Sequence, residues 1–227
     1  TSEALKPWYR MFCKRPCFHD QYLQTFNRDN VTLVDTEGQG VERITESGVV
    51  VAGVEYPVDC IVYATGFEVG TGFQRVSGFE IYGRDGLSLS DKWADGIRTL
   101  HGMHIHGFPN CFLMSTIQGG FTVNYPHMLD EVATHVAHIV GHALTIEKEV
   151  VETSAEAEAS WVQTILDKGV RGGIIGDETC TPGYYNNEGK PRAHFEQMVS
   201  YGDGPIPFFN LLAKWRDTGE FAGLTID

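Results

Sequence analysis

Apolar positions along the chain fall into three patterns, and each predicts a different element. After the turn-like Asn27-Arg28-Asp29-Asn30, Val31-Thr32-Leu33-Val34 predicts a short strand. Val49-Val50-Val51 and Val54-Glu55-Tyr56 flank Ala52-Gly53, which predicts a hairpin. Cys60-Ile61-Val62-Tyr63-Ala64 is a continuous apolar run, the mark of a strand buried on both faces in a parallel sheet, and it stops at Thr65-Gly66. From 70 to 110 the chain is glycine-rich and irregular, with one helical turn expected near Ser90–Trp93. Cys111-Phe112-Leu113-Met114 reads as another short buried strand.

The spacing then changes to that of helices. Between Thr122 and Leu144, Leu129, Val132, Val136, Ile139 and Ala143 share a face. Thr122 or Asn124 is suited to cap this helix, and Pro126 to its first turn. A capping-box pattern, Thr153 with Glu156, opens a second helix that aligns Ala157, Trp161 and Ile165. A third, from Pro207 to Asp217, turns Phe208, Leu211, Leu212 and Trp215 inward and stops near Gly219. The doubly buried run at Cys60–Ala64 is that of the parallel sheet of an α/β domain, the fold class expected here, and no internal repeat is present.

Composition narrows the function. A chain of 227 residues with 42% hydrophobic residues can build a real core. The formal charge of −13 argues against nucleic acid and anionic membrane as partners. No apolar run has the length of a membrane span. The five cysteines, Cys13, Cys17, Cys60, Cys111 and Cys180, are an odd number in a long chain, so reduced thiols in a cytoplasmic protein are expected. His104 and His106 would share a strand face, and Cys13 and Cys17 are four apart, but neither pair has partners at metal-site spacing, so no metal is expected. Thr1 is read as an internal position of a longer protein.

Three segments, in order, carry a resemblance. They are Phe12-Cys13-Lys14-Arg15-Pro16 with Asp20-Gln21-Tyr22 and Phe26-Asn27-Arg28-Asp29-Asn30-Val31; Asp59-Cys60-Ile61-Val62-Tyr63-Ala64-Thr65-Gly66-Phe67; and Gly107-Phe108-Pro109-Asn110-Cys111-Phe112 running into Gly119-Gly120-Phe121-Thr122-Val123-Asn124-Tyr125-Pro126. Together they resemble the C-terminal half of flavin-dependent Baeyer–Villiger monooxygenases, from about Pro7 onward. The resemblance implies the C-terminal portion of a flavoprotein with two Rossmann-like dinucleotide-binding domains. Residues 1–63 would end the NADPH domain and its linker. Residues 64–227 would complete the FAD domain, with a lid loop at 176–192. The family's two GxGxxG turns are not in this sequence: Gly38-Gln39-Gly40-Val41-Glu42-Arg43 begins like one and ends in Arg. The expected partner is therefore an N-terminal half that carries them, and the chain alone is expected to be inactive and poorly stable.

The resemblance also implies the chemistry. A C4a-peroxide formed from reduced FAD and O2 attacks a ketone, and the adduct rearranges to an ester or lactone. By resemblance Arg15 is the cation that stabilises the developing negative charge, a role that suits a planar, permanently protonated guanidinium. Lys14 would hold the 2′-phosphate of NADPH. Thr65, Gly66 and the backbone of Asn124 and Tyr125, at a helix N-terminus, would lie against the flavin. Ile117, Phe121, Tyr184 and Tyr185 would line the ketone pocket. Where many members have a Trp that reaches NADPH, this chain has Thr181, with the two tyrosines close by, which resembles the subgroup acting on larger, polycyclic ketones. Two other readings remain open. One is a non-catalytic module that completes a partner chain's flavin domain. The other is a flavin monooxygenase that oxidises amines or sulfides.

Overall fold

The structure is a computed structural model, and it describes residues 2–11, 13–66, 72–169, 180–190 and 194–227. Its core is helical. Helix α4 (Tyr125–Thr145) packs against α6 (Pro205–Thr218), with α5 (Ala155–Lys168) closing the same apolar cluster. Met128, Val132, Trp161, Ile165, Phe208 and Leu212 meet there with Leu100 and Met103 from the preceding loop.

The helices begin and end where their local chemistry dictates. Asn124 caps α4, its side-chain oxygen accepting from the His127 amide at 3.3 Å. Ser154, not Thr153, caps α5. The Thr153 hydroxyl instead donates to the Gly223 carbonyl, because Thr153 lies on strand β4 (Val151–Thr153). Gly219, at φ 66°, ends α6 in the left-handed conformation. Strand β5 (Leu224–Ile226) pairs antiparallel with β4 and seals the second cluster around Ile139, Ala143 and Phe221.

Ahead of this core, the helical turn α1 (Tyr22–Thr25) is followed by the antiparallel sheet β1 (Arg43–Ile44), β2 (Gly48–Val51) and β3 (Val54–Pro57). Ala52 and Gly53 make the expected two-residue hairpin, both at positive φ. Short helices α2 (Phe73–Ser77) and α3 (Leu89–Lys92) occupy the glycine-rich region, α3 where a helical turn is expected.

Other expectations are corrected. Val31–Val34 forms no strand and joins no ladder among the described residues. Cys111–Met114 contributes only a bridge from Phe112 to His104. Cys60–Ala64 is not a buried strand: Val62 is 83% exposed and Tyr63 71%. An apolar run built for two covered faces needs neighbouring strands and overlying helices, and the described residues provide neither here. The large exposed side chains of Trp8, Met11, Phe18 and Val123 add to the same uncovered apolar surface. The expectation of reduced thiols is corrected too: Cys13 and Cys180 form a disulfide, while Cys17, Cys60 and Cys111 are free.

Candidate functional site

Two groups of residues stand out, one at the entry to α4 and one around the disulfide. The first is organised by Gln118, which is fully buried at φ 56°. Its side-chain oxygen accepts from the Thr99 amide at 3.0 Å and the Thr99 hydroxyl at 2.6 Å. Its side-chain nitrogen donates to the carbonyls of Ile97 and Gln197 at 2.8 and 2.9 Å. The Trp161 indole donates to its carbonyl. Through its side chain and its backbone, Gln118 thus fastens the loops at 97–99 and 197–199 and helix α5 to the backbone that leads into α4.

Beside Gln118, Gly119 and Gly120 pass close to α6. A Cβ on Gly120 would lie 2.8 Å from the Phe208 ring and 2.9 Å from the Phe209 ring, so no larger residue fits unless those rings or the junction itself shift. Held from below in this way, Phe121, Val123, Asn124 and Tyr125 emerge on the surface, Val123 97% exposed. Ile117 faces a cavity of about 370 Å3 lined by Phe73, Trp93, Ile97, Met114 and Met198 among others. That volume lies in the range of small-ligand pockets, roughly 300–1,000 Å3, and most of its wall is apolar.

The second group joins the start of the chain to the 180–190 loop. Asn186, buried, holds the loop in shape. Its side-chain oxygen accepts from the Gly183 and Gly189 amides, and its nitrogen donates to the carbonyls of Cys180 and Thr181. The Cys13–Cys180 bond fixes the N-terminal segment to this loop. The Lys14 ammonium sits over the Tyr9 ring, 5.6 Å from its centroid, and beside Gly183. The Tyr184 and Tyr185 rings lie 4.3 Å apart. A hydrogen bond with Tyr185, and then burial, push the Tyr184 phenol above its ordinary pKa, while the Arg15 guanidinium pulls it back. Arg15 is exposed and near enough to Tyr184 to act on it electrostatically.

Lys14, Arg15, Tyr184 and Tyr185 are therefore brought together from 170 residues apart in sequence, and Ile117, Phe121, Asn124 and Tyr125 follow one another along the α4 entry. Thr65 and Gly66 lie on the exposed stretch after Tyr63, next to residues 67–71, which lie outside the described residues, as do 176–179 and 191–192 of the expected lid loop. His106 is held by the Thr153 carbonyl at 2.9 Å, whereas His104 is buried beside His135.

No family model matches the chain. Named relatives do. Pentalenolactone D synthase of Streptomyces exfoliatus is 53% identical over all of this chain and 39% of its own length. A Baeyer–Villiger monooxygenase of Streptomyces coelicolor is 47% identical over 96% of this chain and 36% of its own. Among solved structures, the polycyclic ketone monooxygenase of the thermophilic fungus Thermothelomyces thermophila superposes on 98% of this chain and 36% of its own, with TM-score 0.84 and 36% identity. The chain is homologous over its whole length to part of the Baeyer–Villiger monooxygenases. It spans under two-fifths of the length of these relatives.

Sequence reasoning about this family part missed the residues that do the holding. Gln118 follows a pocket residue directly, but it stands among Ser115, Thr116, Gly119 and Gly120, a polar and glycine-rich setting that gives no sign of burial. Asn186 sits in a run of turn-forming residues and gives no sign of burial. Nothing local pairs Cys13 with Cys180.

Proposed function

We propose that this chain supplies one part of an FAD- and NADPH-dependent monooxygenase that inserts oxygen beside the carbonyl of a fused-ring ketone, giving an ester or lactone. The observation that carries the reading is the junction of Lys14 and Arg15 with the aromatic 180–190 loop, in a chain similar throughout to these enzymes. Residues 1–63 complete the NADPH domain and its linker, and 64–227 complete the FAD domain.

The donor set fits a supporting role toward two anionic dinucleotides. Adjacent cations at 14 and 15 stand in a chain of net charge −13, and the N-terminus of α4, a 21-residue helix, is exposed. Bound and reduced, FAD supplies with O2 the oxygen atom that is inserted. Arg15 stabilises negative charge on oxygen as the ketone is attacked, and the exposed guanidinium is free to turn toward it. Lys14 holds a phosphate of NADPH as a point charge. The backbone at Thr65, Gly66, Asn124 and Tyr125 orients the flavin. Ile117, Phe121, Tyr184 and Tyr185 exclude water and shape the ketone site. The cavity beside Ile117 has the size and apolar lining for a fused-ring substrate.

The test is made on the complete protein that contains this chain. It is expected to be yellow, to oxidise NADPH, and to convert a fused-ring ketone under 18O2 into a product heavier by one 18O atom. A colourless protein that takes up no FAD overturns the reading. Oxygenation of sulfides but of no ketone would favour a heteroatom-oxidising enzyme instead.

A further inference from the structure

We propose that the Cys13–Cys180 disulfide is a releasable clamp that positions the Lys14–Arg15 segment against the 180–190 loop. The role rests on the function proposed above; the clamp itself does not. Two observations carry it. Among the described residues, the loop and turn backbone hydrogen bonds of residues 2–31 stay within that segment, and those of residues 180–190 stay within the loop. Each piece is therefore internally ordered and bears no backbone ladder to the other. The bond between Cys13 and Cys180 spans 167 residues of sequence and joins the two. Contacts across the join among the described residues also include side-chain ones: an Arg10 guanidinium nitrogen 3.9 Å from the Cys180 sulfur, Lys14 beside Gly183, and Arg15 acting on Tyr184.

The clamp opens by thiol–disulfide exchange. A thiolate of a dithiol reductant attacks one sulfur and the Sγ–Sγ bond breaks. The second reductant thiol closes a disulfide on the reductant, and Cys13 and Cys180 leave as two thiols carrying its two protons and two electrons. Both cysteines are buried, at 3% and 7% exposure, so exchange requires the join to loosen first. Once open, the segment that carries Arg15 is no longer tied to the 180–190 loop. The expected consequence is uncoupling, in which NADPH and O2 are consumed to NADP and hydrogen peroxide while the ketone is left intact.

The experiment uses the full-length protein. Alkylation under denaturing, non-reducing conditions followed by peptide mapping is expected to recover Cys13 and Cys180 in one cross-linked peptide, and dithiothreitol to separate them. Hydrogen exchange is expected to accelerate at least tenfold in peptides covering Cys13–Cys17 and Cys180–Lys190, on reduction of the native protein and in Cys180→Ser, with α4 unchanged. The uncoupled fraction of NADPH oxidation is expected to rise several-fold in both cases and not in Cys60→Ser. Separate Cys13 and Cys180 peptides before reduction, or exchange that reduction leaves unaltered, overturn the clamp. A released clamp with unchanged coupling overturns its positioning role. A protein that binds no flavin overturns the proposed function, and the mapping and exchange results then still decide the clamp.

Discussion

The Gln118 carbonyl oxygen accepts a hydrogen bond from the Trp161 indole nitrogen at 3.0 Å, so the residue before the α4 entry is tied to the middle of α5. The same glutamine satisfies Thr99 twice and the carbonyls of Ile97 and Gln197 through its side chain. Each of those groups is left unpaired in the interior if the amide is removed, at about 1–3 kcal/mol per group. Gln118→Leu keeps the volume and removes every side-chain bond. It is expected to destabilise the protein by about 3 kcal/mol or more, measured by urea unfolding, and to loosen the 194–200 segment. A loss below about 1 kcal/mol would show that the network is not what fixes the junction.

Gly120 tests the same junction by volume. A methyl group there meets Phe208 and Phe209 inside contact distance, and both rings belong to the packed core. Gly120→Ala is expected to cost about 1–3 kcal/mol and to shift α6 or the α4 entry. If the entry moves, ketone KM rises; if only α6 moves, stability falls at unchanged KM. Thermal unfolding and steady-state kinetics of the complete protein separate the two.

The helices of this fold are legible in the sequence because each buries one face against the others within the chain. Ala157, Trp161 and Ile165 find their partners in α6 and α4, so their periodicity and their burial agree. The hairpin at Ala52-Gly53 is legible for a similar reason, since its turn is set by two residues. The strand at Cys60–Ala64 is not realised because its pattern encodes contacts with elements that the described residues do not contain. At the candidate site, Lys14, Arg15 and the loop tyrosines are singled out by motif resemblance alone. What joins them, a disulfide across 167 residues and the buried Asn186, has no local signature.

Arg15 is exposed, so replacing it should act on chemistry far more than on folding. Arg15→Ala is expected to lower ketone oxygenation about 100- to 1,000-fold, the usual cost of removing a donor to a developing oxyanion. NADPH oxidation and the melting temperature should change little. Arg15→Lys should recover only part of the rate, because a point charge lacks the planar fork. Sulfide oxidation builds no alkoxide and should fall less. Equal losses on ketone and sulfide would assign Arg15 to flavin or NADPH binding rather than to the attacked carbonyl.

Three imidazoles packed inside the core predict how the protein responds to acid. His101 lies edge-on to Trp161, at 4.8 Å between centroids, and 5.8 Å from His135, which is 6.2 Å from His104. Each has one ring nitrogen buried without a protein partner. Burial holds all three below the ordinary histidine value, to about 3 for His101, about 4 for His104 and about 2 for His135. The facing charges reinforce this: His104 disfavours a proton on His101, and His101, His104, Arg216, 3.5 Å from the His135 ring, and His138 disfavour one on His135. The unfolded chain protonates these histidines near pH 6.5 while the folded one does not. Stability is therefore fully present above about pH 6.5 and is lost as pH falls toward 4, each histidine contributing up to about 1.4 kcal/mol per pH unit. Below pH 4 His104 ceases to contribute, while His101 and His135 continue to lower. Urea unfolding followed between pH 7.5 and 4.5 should show a flat stability above 6.5 and a fall below it that is shallower in His101→Gln. A fall of equal slope in that variant would show that His101 does not contribute to the acid sensitivity.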